Sequence, residues 1–189
     1  MKQEIPLSNG VTWIAWGYCF LHFHINLGTL DILPDWLGYW MMFSALGILG
    51  EERPSALLLR PLEKLLIAWS AWEWANKLFD LGIEAPVLSY IIFAVSLYFH
   101  FQLLTDLAEL ASAHACPQHQ TLLRLRTIRT VLITLFSIPW SFPQIEPITS
   151  AITLGLALLG VIVGICIFFT IQDLSKALAD QRDIPEVIP

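Results

Sequence analysis

Residues 148–171 read ITSAITLGLALLGVIVGICIFFTI, a run without Asp, Glu, Lys, Arg or His. A helix rises about 1.5 Å per residue, so such a run matches the ~30 Å hydrocarbon core of a bilayer. The rest of the 189-residue chain repeats the theme, with long apolar stretches separated by short polar joints. Hydrophobic residues make up 56% of the chain and charged ones 14%, with a mean hydropathy of +0.65. That is more apolar surface than a water-facing body of this size can hide, so lipid is the expected solvent. Backbone groups in lipid must be paired within their own segment, which makes helices the expected form.

Reading outward from that run gives six expected spans, at about 11–30, 36–50, 62–80, 87–107, 128–142 and 148–171. The expected fold is all-α, a polytopic integral membrane bundle of six transmembrane helices in three hairpins. Residues 128–142 are short and carry Arg129 at one end and Pro139 near the other; a re-entrant segment there would leave five crossings. The domain reading is a helical bundle over 1–172 and a cytoplasmic tail over 173–189.

The basic residues orient the bundle. With both termini inside, Lys2, Arg53, Arg60, Lys64, Arg124, Arg126, Arg129, Lys176 and Arg182 all fall on cytoplasmic parts, and only Lys77 does not. The outer turns instead carry Asp31 and Asp35, Asp80 and Glu84, and Glu146. This is the positive-inside pattern of a multi-pass membrane protein with both termini in the cytoplasm. A removable signal peptide is not expected, because no small-residue cleavage pattern follows the first apolar run. Net charge is -6 and the basic residues form separate anchors instead of a stripe, so nucleic acid is not an expected partner. Cys19, Cys116 and Cys166 supply no outside pair for a disulfide.

Each outer turn contains a proline, in Leu33-Pro34-Asp35, Ala85-Pro86-Val87 and Glu146-Pro147-Ile148. In the first, Gly28 and Thr29 loosen the end of the first helix, Pro34 suits the opening turn of the second, and Asp35 complements its dipole. Trp36, Tyr39 and Trp40 then fit headgroup depth, and Gly38 favours close helix packing. The whole stretch, Asn26-Leu27-Gly28-Thr29-Leu30-Asp31-Ile32-Leu33-Pro34-Asp35-Trp36-Leu37-Gly38-Tyr39, resembles the hallmark of a family of small multi-span membrane proteins of Firmicutes. Members of that family carry Asn-x-Gly-x-x-Asp-Ile-Leu-Pro-Asp-x-x-Gly-Tyr at the end of the first helix. The resemblance implies a small bundle embedded in a bacterial cell membrane and implies no particular activity.

Polar side chains inside apolar runs usually face the bundle interior or water, which makes them the candidate site. The first span carries His22, His24 and Asn26, with Asp31 beyond, and Tyr18, His22 and Asn26 share an i, i+4 stripe. The third carries Glu73, Asn76, Lys77 and Asp80, with Glu73 able to pair with Lys77 and Asn76 with Asp80. Both spans run outward, so these residues are expected at similar depth around an outward-facing polar pocket. Imidazoles beside carboxylates are the parts of a solute, cation or proton pathway.

Other chemistries have less behind them. His22 and His24 lie about 200° apart around a helix and cannot share one ion, and His114, Cys116 and His119 lack the paired spacing of structural zinc sites. No metal and no cofactor are expected. No nucleophile elbow, zinc-protease helix or phosphate loop occurs, which makes an enzyme the less favoured reading. An intramembrane lipid-modifying enzyme would have to use His24, Asp31 and Glu73 as acid-base groups. A membrane scaffold is the alternative to a solute or ion carrier: Gly155, Gly160 and Gly164 give the last span small-residue spacing that suits a homo-oligomer or another membrane partner.

Overall fold

A computed structural model describes residues 6–22, 26–27, 30–31, 34–137 and 146–182, with side chains at all of these except 26–27, 30–31, 146–150 and 182. The described fold is all-α apart from one pair of two-residue strands. Its elements are α1 (Leu7–His22), β1 (Asn26–Leu27), β2 (Leu30–Asp31), α2 (Asp35–Glu52), α3 (Pro54–Leu57), α4 (Arg60–Leu78), α5 (Pro86–Ala113), α6 (Gln118–Phe136) and α7 (Glu146–Arg182).

The six longer helices close into a ring: α1 packs on α2, α2 on α4, α4 on α5, α5 on α6, α6 on α7, and α7 back on α1. Short α3 bridges α2 and α5. The ring closes tightly between α1 and α2 because two glycines meet there. A Cβ at Gly17 would lie 2.8 Å from the Gly38 carbonyl oxygen and one at Gly38 would lie 2.8 Å from that of Gly17, so the backbones touch. Between α1 and α7 a similar approach occurs at Gly164, where any side chain would strike the His22 ring. The interior is one continuous apolar cluster that includes Ile14, Met42, Leu46, Phe99, Leu103, Leu107, Ile167 and Leu174.

Among the described residues, α5 and α7 are the helices long and apolar enough to cross a membrane by composition, over Pro86–Ala113 and Ala151–Gln181, with mean hydropathies of 1.8 and 2.8. Just 28% and 17% of those windows are buried in the protein, the reverse of a water-soluble core helix. Their outward faces present Val87, Tyr90, Ile91, Leu154, Leu158 and Phe169.

Several expected boundaries move. The first helix was expected to reach 30 but ends at His22, and Asn26 and Leu27 instead pair antiparallel with Asp31 and Leu30. Asn26, Gly28 and Thr29 are weak helix formers, and here the extended pairing wins. Asn26 is therefore not on the helical stripe of Tyr18 and His22. Pro34 stands at the cap of α2 and Asp35 is its first residue, as turn chemistry and the dipole favour.

The fifth segment, read as 128–142, begins instead at Gln118 and ends at Phe136, because Leu122, Leu125, Arg129 and Leu132 form a buried stripe on a helix that starts well before the apolar run. Residues 138–145 lie outside the described residues. The last helix continues past 172 to Arg182, and Leu174, Ser175 and Leu178 are buried, so the start of the expected tail belongs to the bundle.

Candidate functional site

Within the apolar interior a few buried polar side chains come together. Tyr18 on α1 is fully buried, and its hydroxyl lies 3.1 Å from Nδ1 of buried His100 on α5, spanning two helices that are not neighbours in the ring. One turn further along α1, the His22 ring nitrogen Nδ1 lies 2.8 Å from the Tyr18 carbonyl oxygen, which anchors the imidazole at the end of its own helix. Tyr39 on α2 stacks beside His100 with ring centroids 6.0 Å apart, and its hydroxyl lies 3.3 Å from the Ser96 hydroxyl on α5. Arg129 on α6 is 8% exposed, with its guanidinium 5.9 Å from the centre of the Tyr18 ring. Glu63 on α4 is wholly buried, neither of its carboxyl oxygens meets a hydrogen-bond partner, and it lies within electrostatic reach of both tyrosines.

Of these groups, His22, Tyr39, Ser96, His100 and Arg129 line a cavity of about 270 Å³, whereas Tyr18 and Glu63 are buried outside its walls. Its walls are Leu21 and His22 from α1, Asp35 and Tyr39 from α2, Ser96 and His100 from α5, Arg129, Leu132 and Ile133 from α6, and Gly160 and Val163 from α7. Five of the six ring helices contribute to its walls, and α4 gives no lining residue. A Cβ at Gly160 would meet nothing within 4 Å, so that glycine leaves the cavity open.

The expected site residues are divided. His22, Asp35 and Tyr39 line the central cavity. Glu73 and Asn76 line another of about 300 Å³ at the α4–α5 corner, with Trp69, Trp72, Ile83, Glu84, Ala85, Pro86 and Ser89. Asn76 holds that corner together: its amide donates to the Ile83 carbonyl at 2.9 Å and its side-chain oxygen accepts from the Ile83 amide at 3.3 Å, so it pairs across the turn and not with Asp80. Asp80 and Gly82 take positive φ values of 48° and 62° in that turn. Glu73, Lys77 and Asp80 are exposed, and no ion pair joins Glu73 to Lys77. His24 and Gly28 lie outside the described residues, as do the side chains of Asn26 and Asp31, although the Leu30–Asp31 strand runs beside α4.

The opposite end of the ring carries a polar network among the expected inner joints. Asp106 accepts from Ser55 at 2.8 Å and from Gln102 at 2.9 Å, Arg53 pairs with Glu109, and His114 meets Glu52 at 2.7 Å. Gln181 donates to the His114 carbonyl at 2.8 Å, and Ser175 to that of Ser8 at 2.7 Å, which ties α7 to both the α5–α6 joint and α1. His119 bonds the Ala108 carbonyl at 2.8 Å, so the histidines of this joint are separately engaged. Burial pushes the Cys116 thiol above its usual range against the opposing pull of Gln181, which keeps it protonated. No group of three or more His, Cys, Asp and Glu side chains suited to a metal occurs among the described residues.

Of the glycines expected to mediate association, Gly164 packs on His22 of its own chain, Gly160 faces the cavity, and a Cβ at Gly155 would meet nothing within 4 Å.

Sequence reasoning missed Glu63, Ser96, His100 and Arg129. His100 was detectable, since it interrupts the apolar run of the fourth span as His22 does that of the first. Arg129 and Glu63 were hidden among charges that the positive-inside reading had already explained. No protein-family model, curated protein or solved structure matches this chain.

Proposed function

We propose that this chain is a polytopic membrane protein that binds a small solute or ion in the central cavity of its helix ring and moves it across the bilayer. The observation that carries the reading is the cavity itself: six polar or ionisable side chains, His22, Asp35, Tyr39, Ser96, His100 and Arg129, converge on a ring whose skin is apolar. Such groups are costly at membrane depth, and where they cluster they mark a ligand pathway.

Six crossings are supported by length. Helices α1, α2, α4 and α6 have 16, 18, 19 and 19 residues. At 1.5 Å per residue these are about 24–29 Å long, close to the ~30 Å hydrocarbon thickness. The gathering of the Arg53, His114 and Gln181 joints at one end, with Arg60, Lys64, Arg124, Arg126 and Lys176 on the flanking segments, supports a cytoplasmic face there and both termini inside. Asp35 and His22, at the helix ends nearest the first outer turn, give the cavity its outward side. The resemblance of the first-turn stretch to the hallmark of a Firmicutes membrane-protein family supports the same membrane-embedded reading.

Gly160→Trp tests the reading, because the indole enters the cavity from a position with no neighbour to displace. Cells producing the wild-type protein are expected to differ from cells producing Gly160→Trp in their uptake of at least one member of a panel of labelled ions, amino acids and organic acids. Identical uptake across the panel, with both proteins equally abundant in the membrane, overturns the proposal.

A further inference from the structure

We propose that the central cavity is an oxyanion site, in which the Arg129 guanidinium receives a carboxylate or phosphate group. The inference rests on the solute-binding reading above and names the chemistry of its ligand.

Arg129 stands apart from the other described arginines. Arg53 pairs with Glu109, Arg126 donates to Thr105 at 2.9 Å and lies over the Phe101 ring, and Arg60 lies over Phe43 at the surface. Arg129 is 8% exposed; its Nε, like those of Arg53 and Arg126, is buried without a hydrogen-bond acceptor, but unlike them it has no ion pair or side-chain hydrogen bond elsewhere on its guanidinium among the described residues. The Tyr18 ring face, at 5.9 Å, offers a weak cation–π contact that does not satisfy N–H donors. A buried charge normally keeps a partner, since leaving it alone in a low-dielectric interior is strongly unfavourable. The cavity is the direction from which a partner can come. A planar guanidinium, always charged and presenting N–H groups as a fork, matches the two oxygens of a carboxylate or phosphate.

The remaining wall suits the same ligand. Of the paired Tyr39 and Ser96 hydroxyls one keeps its proton for an oxyanion, and the His100 ring can donate through Nε2 when Nδ1 accepts from the Tyr18 hydroxyl; His22, whose Nδ1 donates to the Tyr18 carbonyl, adds a donor only as an imidazolium. The volume of about 270 Å³ is several times the ~30 Å³ share of a water molecule and admits a small organic anion. Asp35 on the same wall opposes a second negative charge, which favours singly charged ligands.

The test uses the purified full-length protein in neutral nanodiscs, with acetate, inorganic phosphate and chloride as probes at matched ionic strength, and a parallel set of nanodiscs containing phosphatidylglycerol. The readout is the thermal unfolding midpoint, followed by titration of intrinsic tryptophan fluorescence. Saturable stabilisation by acetate or phosphate over chloride identifies a free anion. Stabilisation by phosphatidylglycerol alone identifies a lipid phosphate seated in the same site. In either case Arg129→Gln should weaken the apparent affinity at least tenfold, Arg129→Lys should recover part of it, and Gly160→Trp should abolish it. Removing a buried unpaired charge is not expected to unfold the ring, and Gly160→Trp leaves Arg129 in place. An anion effect absent from wild type, or equal in Arg129→Gln, overturns the oxyanion assignment. If a neutral or cationic solute is then taken up by wild type and Arg129→Gln but not by Gly160→Trp, solute binding stands and the anion assignment alone fails.

Discussion

The central cavity and the α4–α5 corner cavity are close in volume, about 270 and 300 Å³, and both hold residues that the sequence marks as polar inside an apolar run. They are built from opposite materials. At the corner, Glu73 is exposed, and Asn76 is committed to closing a turn. At the centre, Tyr18, His100 and Arg129 are buried and come from three helices; Tyr18 and His100 meet each other, and the Arg129 Nε is left without an acceptor. A polar residue in an apolar helix thus marks a site only when the fold buries it and brings others to meet it. Charges that reach the surface at a helix end are solvated there and need no ligand.

The largest effect on this contrast should come from Gly164→Leu. The new side chain must displace the His22 ring, so overpacking is expected to lower the unfolding free energy by about 1–3 kcal/mol. Denaturation in detergent checks it, and wild-type stability would mean that α1 and α7 do not meet at this point. Replacing Glu63, whose carboxyl is buried without a partner, by Met should act in the opposite direction. A gain of about 1–2 kcal/mol is expected in the same assay, since an unsatisfied buried polar group is removed at nearly constant volume.

Tyr18→Phe deletes the hydroxyl that meets His100 and keeps the ring, for an expected loss of about 0.5–1.5 kcal/mol. A larger fall in ligand affinity than in stability would place His100 orientation in the binding function. The smallest effect belongs to the corner: Glu73→Gln and Lys77→Gln, singly or together, should stay within about 0.5 kcal/mol of wild type. They should also leave uptake unchanged, and a clear loss of transport in either would move the functional centre from the central cavity to the corner.

Much of the helical plan is legible in the chain because hydrophobic run length and turn chemistry are local. Pro34 and Asp35 start α2, and Pro86 starts α5, where the sequence places them. Boundaries fail where a segment's apolar face is not continuous in sequence. Helix α6 begins at Gln118 because Leu122, Leu125 and Leu132 share a stripe, which a search for uninterrupted hydrophobicity passes over. Similarly, α7 runs on through Leu174 and Leu178, whose burial among α1 and α6 outweighs the charges between them.

The candidate site was partly legible for the same reason. His22, Asp35 and Tyr39 sit near one turn in sequence and stay near one another in space. His100 and Arg129 join them only because the ring closes.

The amino-acid sequence alone determined the helical class, the alternation of apolar runs with charged joints and the turn signals, since each depends on neighbours within a few residues. Which polar side chains became solvated and which were sealed together was decided by tertiary structure. Burial is a property of the closed ring: Gly17 against Gly38 and Gly164 against His22 bring the helices close enough to enclose Arg129, and no local pattern carries that distance.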